Sequence, residues 1–188
     1  MARTIIAFCA VLTLASFACG QDRYENRERE RERERERRFV EGRVVQVVDG
    51  DTCVVEARDG RRHKVCLYGI DAPENGQPYW QNAREALYHK IYNKEVKFSP
   101  VETDAEGRAC CNLYCGERQI NLEQIREGYG WHHTSHEPIR EYAEAEREAR
   151  TRHIGLWADR HPVEPWKYRQ DHREARRPVE RERERERD

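Results

Sequence analysis

The sequence predicts an α+β fold, mainly β, in which a five-stranded barrel is capped by three helices. Two observations predict it. Five short strand candidates gather in the first part of the core, two of them facing each other across Asp59-Gly60, and three helical segments are interleaved with them or follow them. Short strands joined by tight turns, without a regular strand–helix–strand alternation, close into a barrel rather than spread into a parallel sheet.

The first strand candidate, Phe39–Val48, is rich in valine (Val44, Val45, Val47, Val48) and ends at the turn residues Asp49-Gly50. Thr52–Arg58 and Arg61–Tyr68 flank Asp59-Gly60, a strong two-residue hairpin signal. Glu95–Val101 and Arg108–Cys115 complete the five, the last ending at Gly116. Among the helices, Tyr79–Lys90 carries Trp80, Ala83, Leu87 and then Ile91 at helical spacing. Asn121–Glu127 takes Asn121 as its N-cap and stops at Gly128. Ile139–His153 repeats Ile139, Tyr142, Ala145 and Ala149, with Gly155 as its stop signal.

Composition sets the boundaries around this core. Charged residues make up 38% of the 188-residue chain, which would suit a disordered polymer if they were spread evenly. They are concentrated instead in two alternating Arg/Glu runs, at 27–38 and 180–188. In a helix that alternation sets opposite charges at i,i+3 and like charges at i,i+4, so the terms partly cancel and the runs read as solvated tails. Residues 1–20 read as a secretory signal: Arg3, then an apolar run from Ile5 to Ala18, then small residues. The run is too short for a comfortable membrane span. Lipidation at Cys19 is the alternative, but Ser16 and Phe17 ahead of it fit that signal poorly. The expected organisation is a signal at 1–20, a charged segment at 21–38, the domain at 39–170 and a charged tail at 171–188. Export to the extracellular or periplasmic space is the expected localisation; neither membrane association nor an oligomer is indicated.

In an oxidising compartment the cysteines invite pairing. Zinc fits poorly, because paired C-x-x-C spacing is lacking and the histidines lie elsewhere. If Asp59-Gly60 is a two-residue loop, Arg58 faces Arg61, and counting back along the strands Cys53 faces Cys66. That pair falls on a non-hydrogen-bonded position, where Cα atoms approach to about 4.5 Å, near the low end of disulfide geometry. A Cys53–Cys66 disulfide is therefore the expectation. No pairing follows for Cys110, Cys111 and Cys115.

Three carboxylates stand just beyond strand ends: Asp51 in V-D-G-D-T, and Asp71 with Glu74 in G-I-D-A-P-E. Loops held by rigid strands can bring hard oxygen ligands together around a divalent cation, with Glu74 placed to activate a water beside it. Asp and Gly at these places equally suit plain turns, so neither motif decides by itself. The net charge of −1 gives no global basic signature of nucleic-acid binding, which leaves only a local positive rim to attract phosphates.

The succession of motifs is more specific. V-V-D-G-D-T, L-Y-G-I-D-A-P-E-N-G-Q-P-Y, T-D-A-E-G-R, I-N-L-E-Q-I-R-E-G-Y-G-W and Y-A-E-A-E-R-E-A-R with G-L-W closely resemble the staphylococcal nuclease (thermonuclease) family. P-V-E-P-W-K-Y-R resembles the C-terminal extension of its secreted bacterial members, so the resemblance runs from about Val40 to Arg169. It implies an OB-fold barrel and calcium (Ca2+) held by Asp51, Asp71 and the carbonyl of Ala72. It implies Glu74 as general base or water orienter, and Arg108 on the scissile phosphate. The implied reaction is hydrolysis of DNA or RNA phosphodiesters to leave 3′-phosphates.

This sequence departs from the family pattern at three places. Cys66 stands where the family has a second phosphate-binding arginine, and a thiol offers no forked, charge-assisted hydrogen bonds. Losing one such donor costs on the order of 10²–10³ in rate; Lys64, two residues away on the same strand face, is the nearest substitute. After Trp131, His132 and His133 replace the aromatic residues expected to stack on a base. Glu106 adds negative charge near the expected phosphate path. The alternative to a nuclease is thus an inactive OB-fold module that binds nucleic acid or a protein partner.

Overall fold

The computed structural model describes residues 39–104, 107–133 and 138–172. The signal segment, both Arg/Glu runs and Glu106 lie outside the described residues. Five strands form a closed barrel: β1 (Val40–Val47), β2 (Thr52–Ala57), β3 (Arg62–Leu67), β5 (Glu95–Thr103) and β6 (Ala109–Cys115). Four antiparallel pairings run in the order β3-β2-β1-β5-β6, and a parallel pairing of β3 with β6 closes the ring. Two short antiparallel strands, β4 (Ile70–Asp71) and β8 (Trp131–His132), pair beside it, and β7 (Arg118–Gln119) extends β6. The expected α+β, mainly β, OB-type barrel is the fold observed.

The barrel is filled from strand positions that alternate inward. Val44 and Val47 both point inside although three residues apart, because the β1–β2 register shifts between Val44 and Gln46. Such a bulge moves the following side chains to the opposite face. Val55, Val65, Leu67, Val96, Phe98 and Leu113 join them in the core, each contributing about 1.5–3 kcal/mol by leaving water.

Helix α1 (Trp80–Ile91) buries Ala83, Leu87 and Ile91, the face its spacing predicted. Helix α2 (Ile120–Arg126) starts one residue earlier than expected, so Asn121 is not its N-cap. The Asn121 side chain turns inward: Oδ1 accepts from the Leu113 N–H, and Nδ2 donates to the carbonyls of Tyr68 and Cys111. Three buried backbone groups outcompete a local cap, since each would otherwise be costly to leave unpaired. Helix α3 (Arg140–Thr151) buries Tyr142, Ala145 and Ala149. A short 3₁₀ turn, Gly155–Ala158, follows. A fourth helical stretch, α4 at 165–172, goes beyond the three expected. Pro165 opens it, a residue suited to the first helical position because its missing N–H has no helical partner there.

The hairpin differs from expectation, with consequences for the cysteines. Glu56 faces Arg62, and Ala57 donates to the Arg61 carbonyl, leaving three residues in the loop rather than two. The Gly60 N–H closes a turn onto Ala57, and Gly60 itself takes φ 81°, as expected for a type I turn followed by a left-handed glycine. One extra loop residue slips the register by one, which sends alternate side chains to opposite faces. Cys53 now faces Val65, and Cys66 faces Thr52. The expected Cys53–Cys66 disulfide is therefore absent. Cys66 lies opposite Cys110 across the parallel β3–β6 seam and is disulfide-bonded to it, with a Cα separation of 4.5 Å. Cys53 and Cys111 are buried thiols, and burial pushes each up to about 12; such thiols are inert at neutral pH.

Candidate active site

One end of the barrel carries a cleft of about 230 Å³ whose lining includes Asp51, Asp71, Glu74, Arg108 and Arg169. Each acidic side chain arrives by a different local device. Asp51 follows the β1–β2 turn, where its N–H donates to the Asp49 carboxylate. Its Oδ1 accepts from the Thr52 hydroxyl at 2.9 Å and its Oδ2 from the Ala72 N–H at 2.7 Å. The second bond ties the β1–β2 turn to the segment after β4, so Asp51 and Asp71, 20 positions apart in the chain, are held side by side. Asp71 is buried at the end of β4, paired through its backbone with Trp131.

Glu74 sits in a turn braced by Gln77. The Glu74 N–H donates to Gln77 Oε1 and the Gln77 N–H to the Glu74 carbonyl. Gln77 Nε2 reaches on to the Val163 carbonyl at 3.2 Å. Arg108 closes the hairpin between β5 and β6: its N–H and Nε both donate to Asp104, at 2.7 and 2.5 Å. The disulfide at Cys110 stands two residues beyond it and secures the base of that hairpin to β3.

The electrostatics follow from crowding four carboxylates. Burial, then repulsion from Asp49 and Asp71, raises the Asp51 carboxyl well above the usual range, opposed by the Ala72 N–H. Such a group is stabilised by any cation brought to it. Arg169 from α4 brings a cation to the neighbouring carboxylates Asp71 and Glu74. Its Nη1 and Nη2 donate to Asp71 Oδ1 and Oδ2 at 2.9 and 2.7 Å, a forked pair, and Nη1 also reaches Glu74 Oε1 at 2.5 Å. Hydrogen bonding to Asp71 chiefly raises the guanidinium's hold on its proton.

Of the residues named from the sequence, Asp51, Asp71, Ala72, Glu74 and Arg108 are brought to one cleft. Lys64 is exposed on β3 and does not line it. Cys66 is not a thiol at all but half of a disulfide. His132 accepts from the Ile139 N–H through Nε2, and His133 lies 4.5 Å from the Trp166 ring. His132 is half-buried and hydrogen-bonded within the protein, whereas His133 is exposed with its ring against Trp166. Arg169 was not singled out from the sequence as a site residue. Its signal was the i,i+3 pair Trp166 and Arg169 behind Pro165, which sets an anchoring ring and a cation one turn apart on a helix.

Fold and cleft define a class: a small closed barrel carrying a carboxylate cluster and arginines at one end, the arrangement of an enzyme that handles phosphates. Comparison with known proteins gives the family. Residues 64–159 match the family model described as staphylococcal nuclease homologue. The chain is 36% identical over 129 residues to an uncharacterized endonuclease of Haemophilus influenzae, covering 68% of this chain and 71% of that protein. It is 34% identical over 145 residues to a micrococcal nuclease of Shigella flexneri, covering 71% and 83%. A probable staphylococcal-like nuclease of Oryza sativa subsp. japonica, CAN2, is 38% identical over 116 residues, 62% of this chain but only 32% of the rice protein. The chain thus spans about a third of the rice relative and most of the two bacterial ones. The protein belongs to the staphylococcal nuclease family.

Proposed function

We propose that the chain is a calcium-dependent endonuclease that hydrolyses DNA or RNA phosphodiesters and leaves 3′-phosphates. The observation that carries this reading is the convergence of Asp51, Asp71, Glu74 and Arg108 on one cleft from four separate loops and strands. The names of the bacterial relatives support it.

The donor set fits a hard divalent ion. Crowded carboxylate oxygens, an Asp51 carboxyl raised by burial and by that crowding, and a guanidinium drawn onto Asp71 all mark a place that binds positive charge. Asp51 and Asp71 would hold the ion, with the Ala72 carbonyl as a further ligand. Bound there, a divalent ion supplies Lewis acidity toward a phosphate oxygen. The chain's own residues do the rest. Glu74 accepts a proton from, or orients, the water that forms the new P–O bond. Arg108 donates to the phosphate oxygens as their charge grows. Breaking the P–O5′ bond sends the proton to a 5′-hydroxyl and leaves the phosphate on the 3′ side. Export is part of the same proposal: the signal pattern at 1–20 suggests it, and the Cys66–Cys110 disulfide suits an oxidising compartment.

The second reading, an inactive OB-fold module, has one observation in its favour: Arg169 already satisfies Asp71 and Glu74. One assay separates the two. With single-stranded DNA, the full chain is expected to cleave in calcium and to stop in excess chelator, and Glu74→Gln to lose about 10²–10⁴ in rate. Calcium should also raise Tm, because a ligand of the native state stabilises it, and Asp51→Asn should remove that shift. No calcium-dependent cleavage and no Tm shift sinks the enzyme reading.

A further inference from the structure

The cleft holds two arginines but four acidic groups, and the two cations are held differently. Arg108 is fastened by its own hairpin through Asp104. Arg169 comes from α4 and lies on Asp71, one of the two carboxylates assigned to the metal, and on Glu74. Its helix is docked by contacts that do not involve the arginine. Trp166 packs edge-on against Trp131 with ring centres 5.8 Å apart. The Tyr168 hydroxyl reaches the Glu74 turn, where a Cβ on Gly76 would stand 2.8 Å from it. Gln77 bonds the Val163 carbonyl. The chain therefore builds a platform beside the Glu74 turn and aims one guanidinium from it into the cleft.

A guanidinium and a divalent ion compete for the charge of the same oxygens. Both Asp71 oxygens are engaged by Arg169 in the structure. An ion bound between Asp51 and Asp71 neutralises Asp71 and weakens the forked part of the guanidinium's hold, leaving its contact with Glu74. The loosened fork stays carried by its helix in the cleft that Arg108 also lines. The planar fork that grips a carboxylate grips two phosphate oxygens equally well. Cys66, whose Sγ lies 4.0 Å from the Asp104 carboxylate that holds Arg108, is closed in a disulfide and offers no donor.

We propose that Arg169 is a phosphate-binding residue of the active site, resting on Asp71 and Glu74 until a divalent ion displaces it onto the substrate phosphate. The inference rests on the nuclease reading above. In the ion-free protein Arg169 keeps the carboxylates in place; in the loaded protein it becomes the second cation on the phosphodiester.

The test uses the full chain and two variants, Arg169→Gln and Arg169→Lys. Binding of a phosphorothioate-linked single-stranded oligodeoxynucleotide, which keeps its charge and resists hydrolysis, is followed by fluorescence anisotropy in calcium across a salt series. Calorimetry measures calcium binding alone. Arg169→Gln is expected to weaken oligonucleotide binding by about ten- to a hundredfold, the range for a lost hydrogen bond to a charged group. It should also flatten the salt dependence by about 0.7, the slope contributed by one phosphate contact on a single strand. Calcium alone should bind it more tightly, because the competing cation is gone. Arg169→Lys should keep the salt slope, since the charge remains, while binding more weakly than wild type for want of the fork. A wild-type chain that cleaves in calcium while both variants match its oligonucleotide affinity and slope overturns the role of Arg169 alone. A wild-type chain that neither binds calcium nor cleaves overturns the nuclease reading, and this inference with it.

Discussion

Cys66 and Cys110 are joined across the parallel seam that closes the barrel, so one covalent bond links the strand leading into Asp71 to the strand leaving Arg108. The two halves of the candidate site, its carboxylates and its hairpin arginine, are thereby held at one spacing. A parallel pair has no hairpin to fix its register, and here the disulfide fixes it instead.

Replacing both cysteines by serine should cost about 4 kcal/mol, the chain-entropy value for a crosslink spanning 44 residues. Urea denaturation of the oxidised protein and of the double variant measures it directly. Peptide mapping without reduction should recover Cys66 linked to Cys110, with Cys53, Cys111 and Cys115 alkylated after unfolding. A Cys53–Cys66 peptide in that map would contradict the three-residue hairpin loop.

Asn121 should be among the least replaceable residues outside the site. It is fully buried and bonds the Leu113 N–H and the carbonyls of Tyr68 and Cys111. Asn121→Ala leaves those three backbone groups without their partner, at about 1–3 kcal/mol for each that stays unsatisfied. We expect a loss of about 3 kcal/mol or more in denaturant titration. Asn121→Asp should not rescue it, because a carboxylate accepts from Leu113 but repels two carbonyls.

Stability should fall as the solution is acidified through the normal range of histidine, and His132 is one cause. Burial lowers its affinity for a proton, His133 acts in the same sense, and Glu146 opposes both. The Nε2 lone pair that accepts from the Ile139 N–H is available only on the neutral ring. Below the unfolded value of about 6.5 the unfolded chain binds a proton that the folded one resists, so unfolding gains free energy as pH falls. His132→Gln should lessen the slope of stability against pH between about 7 and 5, measured as Tm in matched ionic strength. An unchanged slope would remove His132 from the explanation.

Local signals carried much of this protein. The valine-rich first strand and the Trp80–Ile91 face depend on spacing that neighbouring residues impose, and the structure has them where the sequence puts them; the Asp59-Gly60 turn is present too, but with Arg58 added to its loop. The succession of motifs likewise carried the family and the set Asp51, Asp71, Glu74 and Arg108. Residues that act through distant partners were harder to read. Asn121 looked like a cap because its immediate neighbours allow one, and only β6 and Tyr68 show that its amide is needed inside.

By itself the sequence determined the barrel, the first three of its helices and the carboxylate end of the cleft, because those rest on period, turns and motif order. Tertiary structure alone decided the cysteine pairing and the second arginine. One additional residue in a hairpin loop flips every following side chain to the other face, so Cys66 met Cys110 rather than Cys53. Arg169 reaches Asp71 across 98 positions of sequence, through a helix docked on Trp131 and Gly76. No local pattern encodes such a contact, because it exists only once the barrel, the Glu74 turn and α4 have packed together.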